Sequence, residues 1–378
     1  MLAPQITERK EKGQAIAKLT DQIQRFDDCH YVVKSQSHES SYNVNKETGA
    51  WICNCPDHFY RHIKCKHIYA VEFSNELRLK VEAKKIVPLG NLSNCIHCGS
   101  SNIAKKGLRK NKCGNLQKFY CLDCHKWFTF NIGFERMKHN PQAITSAMQL
   151  YFSGESLRNT AESLKLLGVE VSYRTILNWI KKYVKLMKEY TEKITPEVSD
   201  TWRADELWIK VSGNMKYLFS MMDDETRFWI AQEVAETKDK HDARNLLRMS
   251  KEVCGKKPKT FITDGLKSYH TAFKKEFLSS ENSDTKHVNE IMLKGAVHNN
   301  KMERMNGEIR DREKTMRGLK INNTAILQGM QLYHNFIRPH MALDGKTPSE
   351  ACGITIEGKN KWITLIQNAS KKKMDIIS

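Results

Sequence analysis

Residues 201–211 read TWRADELWIKV and residues 258–269 read PKTFITDGLKSY. Both stretches carry the β-branched and aromatic residues of buried strands, and each also carries an acid, Asp205 inside the first and Asp264 at the end of the second. A carboxylate in an apolar strand is costly unless it is paired or binds a cation. A third acid, Glu303, opens the helical stretch HNNKMERMNGEIRDREKTMRG; 58 residues separate the first two acids and 38 the last two. Two carboxylates on neighbouring strands, with a third on a helix lying across them, can hold two divalent cations about 4 Å apart for in-line attack on a phosphodiester.

The surroundings support an α/β reading. KYLFSMMD and RFWIAQEVA follow as strands, HDARNLLRMSKEV as a helix, and SYHTAFKKEF as a helix after the Asp264 strand. Glu308 and Glu313 compete with Glu303, but each five-residue step turns a helix by roughly 140° from the last, so the three cannot face one site. Arg310, seven residues beyond Glu303, returns to its face of the helix. Asp223 and Asp224, which follow the second strand, are rival acids for the same site.

Upstream, residues 141–198 read as three helices: Ala143 to Phe152, one begun by Ser156 after Gly154, and one begun by Ser172 after Gly168. The last two have the spacing of a helix-turn-helix. Ile176, Trp179, Ile180 and Val184 form the apolar stripe of the final helix, leaving Arg174, Asn178 and Lys181 for DNA contacts. A plain amphipathic bundle helix has the same pattern.

The cysteines fall into two sets in front of these helices. Cys53-x-Cys55, nine residues, then Cys65-x-His67 supplies three thiolates and an imidazole for a closed tetrahedral Zn²⁺ site, with His58 or His62 as alternatives for the fourth ligand. Following a strand-rich stretch with a turn at Thr48-Gly49, this CNC…CKH pattern resembles the SWIM zinc finger. Cys95-x2-Cys98, 22 residues, then Cys121-x2-Cys124 is the spacing of a zinc ribbon and a second structural Zn²⁺. Lys105, Lys106, Arg109, Lys110 and Lys112 lie between the knuckles with no acid among them, as expected of a surface that meets phosphate.

The 378 residues include 62 Lys+Arg against 43 Asp+Glu, a net charge of +19, which points to a polyanionic partner. The charge divides as +10 over residues 1–140, +1 over 141–200 and +8 over 201–378. A mean hydropathy of -0.60 and the lack of any long apolar run argue against a membrane span. The charged N-terminus MLAPQITERKEKG lacks the apolar core of a signal peptide, so a reducing compartment is expected, with the cysteines on metal.

Residues 200–352 resemble the catalytic domain of insertion-sequence DDE transposases of the RNase H-like transposase and integrase superfamily. The likeness rests on Trp202-x-x-Asp205-Glu206, the strand-turn ending in DDETR at Arg227, Asp264-Gly265-x-x-x-Tyr269, and Asn300-x-x-Glu303-Arg304. The stretch YHNFIRPHMALDGKTPSEACG from Tyr333 to Gly353 closes it. The resemblance implies an RNase H-like mixed five-stranded sheet with helices, over residues 199–353. Before it would come a region with the SWIM-like finger (1–88), a zinc ribbon (89–140) and an all-α helix-turn-helix (141–198), and after it a basic tail (354–378). It implies that Asp205, Asp264 and Glu303 hold two Mg²⁺ or Mn²⁺, that Arg304 and Arg310 meet DNA, and that the protein is a cytoplasmic, nucleoid-associated prokaryotic transposase. The partners it implies are double-stranded DNA, as terminal inverted repeats and target, and further copies of the chain in a dimer or larger synaptic assembly. The competing expectation is a transposase-derived regulator that binds DNA without cutting it.

Overall fold

The computed structural model describes residues 3–19, 21–27, 29–47, 49–83, 85–87, 94–111, 114–129, 131–278, 285–289, 299–316, 318–322 and 324–377. They form two compact units, Met1–Lys84 and Lys85–Ser378. The expected boundary at residue 88 and Lys112 lie outside the described residues, as does most of the loop that precedes Glu303. Among the described residues no helix is long and apolar enough to cross a membrane.

The first unit contains α1 (Ala3–Lys18), β1 (Ile23–Arg25), β2 (His30–Lys34), β3 (Ser41–Glu47), β4 (Ala50–Cys53), α2 (Pro56–Arg61) and α3 (Lys66–Ala83). The expected hairpin is here a four-stranded antiparallel meander in the order β1-β2-β3-β4. Its last turn needs a residue with positive φ, which Gly49 supplies at 90°. Alternation along β2 and β3 turns Tyr31, Val33 and Val44 inward, where they meet Ile68 and Val71 of α3 and Ile16 of α1.

The second unit begins with β5 (Lys85–Ile86) and a small antiparallel sheet of β6 (Ile103–Asn111), β7 (Gly114–Cys121) and β8 (Trp127–Phe128). Three helices follow: α4 (Pro141–Phe152), α5 (Leu157–Leu166) and α6 (Tyr173–Thr191). Asn140, Ser156 and Ser172 cap them, each side chain accepting the N–H three residues on.

The catalytic-type sheet is built from β9 (Thr201–Val211), β10 (Asn214–Asp223), β11 (Trp229–Ala235), β12 (Thr260–Ile262) and β13 (Lys286–Val288), with α7 (Lys240–Cys254) and α8 (Lys267–Glu276) in the connections. Its order is β11-β10-β9-β12-β13. The first three strands pair antiparallel, while β12 runs parallel to both β9 and β13. This is the mixed five-stranded sheet with helices that the resemblance implied. The chain continues through α9 (Asn300–Met316), α10 (Ala325–Leu332), a π-helical turn at Tyr333–Ile337, α11 (Pro348–Ala351), β14 (Thr355–Ile356) and α12 (Lys361–Ile377).

Two expectations are corrected here. Residues 354–378 are no tail: β14 pairs parallel with β5, and α12 buries Trp362, Leu365, Ile366 and Ala369. Trp362 donates from Nε1 to Gln149 Oε1 at 2.9 Å and stacks on Phe152. The basic residues that suggested a tail sit at its end, while the apolar ones recur at helical spacing. Nor are the three helices a separate module, because their core is continuous with that of the sheet. The stripe Ile176, Trp179, Ile180 and Val184 is buried, and α10 comes so close that a Cβ on Gly329 would meet Phe152 at 2.2 Å and Val184 at 2.9 Å. Leu365→Ala is therefore expected to cost about 2–5 kcal/mol, read as a lower urea midpoint for the full chain.

Candidate active site and metal centres

Register brings the first two acids together. Ile262 of β12 lies beside Arg203 of β9 in parallel pairing, so two residues further on Asp264 reaches the level of Asp205. Gly265 follows at φ 92°, where a Cβ would stand 2.8 Å from the Asn289 carbonyl oxygen; glycine is required by conformation and by space. The turn holds Asp264, whose Oδ1 accepts the Leu266 N–H at 3.2 Å.

Asp205, Glu206 and Asp264 each place a carboxylate oxygen within 4.8 Å of the others. Successive strand residues point to opposite faces. The Asp205 carboxylate leans forward along its own strand and accepts the Glu206 N–H at 2.9 Å. On the Asp205 face, Asn306 of α9 donates from Nδ2 to Asp205 Oδ2 at 2.9 Å. On the Glu206 face, Lys238 pairs with Glu206 at 2.7 Å, and the Tyr269 ring of α8 packs against Phe219 and Phe261.

The electrostatics follow from burial and crowding. Asp205 is pushed up to about 7, chiefly by burial and then by the charges of Glu206, Asp264 and Glu303. Burial also raises Glu206, against the pull of Lys238, and it holds the Tyr269 hydroxyl well above its ordinary range with the three carboxylates adding to the effect. One partly exposed ammonium thus faces a cluster of three acids, the donor set and charge excess that suit a hard divalent cation.

Glu303 is placed differently from the expectation. It lies exposed in the first turn of α9 and stands outside the cluster of three, although its charge still raises Asp205. A long side chain on an exposed helical turn gains by turning toward water, away from two other carboxylates. Glu206 is the residue that motif reading passed over; the cost of an acid in an apolar strand, applied to Asp205, applied equally to its neighbour. Lys238 and Asn306 carry no motif. Asp223 and Asp224 are structural: Asp223 is fully buried and accepts four hydrogen bonds from Ser199 and Thr226.

Both cysteine sets converge. Cys53, Cys55, Cys65 and His67 have ligand atoms within 4.8 Å of one another, with His67 Nδ1 3.9 Å from the sulfurs of Cys53 and Cys65. His58 is engaged elsewhere, its Nδ1 2.8 Å from the Ile63 carbonyl oxygen, so His67 is the fourth member. In the second set Cys95 and Cys124, and Cys98 and Cys121, are 3.6 Å apart. A tetrahedron with metal–sulfur distances of about 2.3 Å has edges of roughly 3.8 Å, so the spacing fits a Zn²⁺ ion. Lys105, Lys106, Arg109 and Lys110 are exposed on β6, and Arg174, Asn178 and Lys181 are exposed on α6, as is Arg310 on α9.

Residues 199–340 match the family model described as a DDE domain. The transposase for insertion sequence-like element IS431mec of Staphylococcus aureus is 28% identical over 146 residues, 38% of this chain and 63% of that protein. The transposase for insertion sequence element IS257 in transposon Tn4003, also of Staphylococcus aureus, gives the same figures. Insertion element iso-IS1N protein InsA of Shigella dysenteriae is 31% identical over 84 residues, 22% of this chain and 87% of that protein. The chain belongs to the insertion-sequence DDE transposases. It spans 63% of the length of the staphylococcal members of the family. Among solved structures, the HTLV-2 integrase catalytic core domain in complex with magnesium aligns over 42% of this chain and 98% of its own, at 17% identity and a TM-score of 0.32. That score is too low to bear on the fold, which rests on the strand order.

Because the folded protein favours a proton on Asp205, that residue's burden on stability grows as pH rises from the ordinary aspartate range to about 7 and is fully present above it. Asp205→Asn is expected to raise the melting temperature of the chelator-treated protein by a few degrees at pH 8 and hardly at all at pH 4, measured by scanning calorimetry.

Proposed function

We propose that the chain is a DNA transposase that binds the terminal inverted repeats of an insertion sequence and catalyses Mg²⁺-dependent strand cleavage and strand transfer. The observation that carries this reading is the approach of the Asp205 and Asp264 carboxylates, one on β9 and the other just past the end of β12, inside the DDE domain. Asp205, Asp264 and Glu303 would hold two Mg²⁺ or Mn²⁺, with Glu303 swinging in from the first turn of α9. Glu206 is the rival ligand, but its charge is committed to Lys238. Bound divalent cations supply an activated water or 3′-OH and stabilise charge on the phosphodiester.

The chain's own residues prepare the site. Asn306 fixes the direction of the Asp205 carboxylate, and the Gly265 turn keeps Asp264 at its level. Glu206 and Lys238 form a pair that keeps the ammonium next to the acids. Two structural Zn²⁺ would sit in the Cys53/Cys55/Cys65/His67 and Cys95/Cys98/Cys121/Cys124 sets. The exposed cations on β6, together with Arg174, Asn178 and Lys181, would engage the ends, and Arg304 and Arg310 the DNA near the cut. Joining two ends in one event calls for a dimer or larger synaptic assembly in the cytoplasm. A regulator that only binds DNA is the less supported reading, because all three acids are retained.

Asp264→Asn is expected to abolish Mg²⁺-dependent cleavage of DNA carrying an element end while changing its binding less than twofold, in paired cleavage and gel-shift assays; cleavage by the variant would sink the assignment. Cys95→Ser is expected to remove one of two bound zinc ions by elemental analysis and to weaken end binding before the catalytic unit melts.

A further inference from the structure

The turn after β10, Asp223-Asp224-Glu225-Thr226-Arg227, carries more positive charge around it than its acids neutralise. Asp224 Oδ1 takes both the Arg203 Nε donor and Lys301 Nζ, the latter at 2.8 Å, and the Lys301 ammonium also reaches the Asp224 carbonyl at 2.9 Å. Its charge is therefore divided between two cations. Asp223 is spent on Ser199 and Thr226, and Glu225 is exposed.

Arg227 ends this turn with φ at 60°, a conformation unfavourable for a residue with a Cβ. The conformation is held by its carbonyl, which accepts from His334 Nε2 at 2.9 Å. Its guanidinium is half-buried and faces Asp224, Arg203 and Arg304; burial first, then the two like charges, lower its proton affinity. Arg304 lies one turn along α9 from Lys301 and directly beside Glu303, exposed. Among the described residues neither Arg227 nor Arg304 has an ion-pair partner. The Lys301–Asp224 contact brings the first turn of α9 against this turn, so that Arg304, three residues on, stands near Arg227.

We propose that Arg227 and Arg304 form a cradle for a single DNA backbone phosphate next to Glu303, positioned by the Arg203–Asp224–Lys301 pairings. An arginine strained and half-buried against like charge is offset when a phosphate oxygen is shared between two guanidinium groups. The proposal rests on the transposase reading for the identity of the anion as DNA; the charge excess is independent of it. Lys301 and Arg203 act through Asp224 and are positioning residues.

The test is the salt dependence of binding of the full chain to a short DNA duplex in EDTA, where no cutting occurs. Arg227→Gln and Arg304→Gln are each expected to weaken binding roughly 3- to 10-fold near physiological salt. Because one phosphate is shared, the double variant should lower the slope of log affinity against log salt by about 0.9 in total. Arg227→Lys, which keeps the charge, should retain most of the slope, and unchanged melting temperatures establish that the variants fold. An unchanged slope in the double variant overturns the cradle, and so does a loss near 1.8, which would mean two separate phosphates. If Arg227→Gln is unstable, Arg304→Gln, at an exposed position, still decides: an affinity unchanged near physiological salt overturns the cradle. A chain that shows the expected slopes but never cuts DNA with Mg²⁺ removes the proposed activity and leaves the cradle standing; a chain that cuts with slopes unchanged does the reverse.

Discussion

Negative charge brought together on the central strands is the constraint to which the second unit answers. Parallel pairing of β12 on β9 sets Asp264 level with Asp205, and the fold around it leaves Asp205 half-buried. Such an arrangement persists only if neighbouring groups hold it. Asn306 reaches Asp205 from α9, Lys238 reaches Glu206 from the end of β11, and Gly265 allows the chain to turn away without a clash. Asp205 and Glu206 are half-buried and Asp264 is exposed, while Trp202, Phe219, Phe261 and Tyr269 of the same unit are fully buried. Rigid surroundings keep the carboxylates close at a cost that a divalent cation would relieve.

The same rigidity extends to the helical segment. Arg312 of α9 is buried, donates to the Glu155 carbonyl at 3.0 Å and lies 4.5 Å over the Tyr151 ring, tying the helix that bears Glu303 to the turn between α4 and α5. Together with the α10 approach at Gly329 and the docking of α12, this gives one continuous core from α4 to the sheet. The exposed face of α6 is therefore held at a set distance from the acids.

Much of this was legible beforehand because it depends on short-range chemistry. Ser156 and Ser172 announced helix starts, and the structure shows each as a cap. The two cysteine sets were readable from spacing, since knuckles a few residues long bring their sulfurs together whatever surrounds them. The strands of β9 to β12 were readable from composition, and so was the unusual presence of an acid within them. The four-stranded meander was legible only as a hairpin, because β1 is three residues long and mostly exposed. The fate of residues 354–378 was obscured by the lysines at 371–373, which masked an apolar face that has meaning only when α4 and α6 are there to receive it.

By itself, the sequence determined which acids, cysteines and histidines were candidates, since each residue type carries its chemistry wherever it stands. Tertiary structure alone decided which of them meet. It chose His67 over His58, whose ring is engaged by a carbonyl, and it brought the Glu206 carboxylate within reach of Asp205 and Asp264. It left Glu303 on an exposed turn, with Arg304 next to it on α9 and Arg227 facing Arg304. Those outcomes depend on strand register and on helices packed across more than a hundred residues of chain, and no local pattern encodes a distance of that kind.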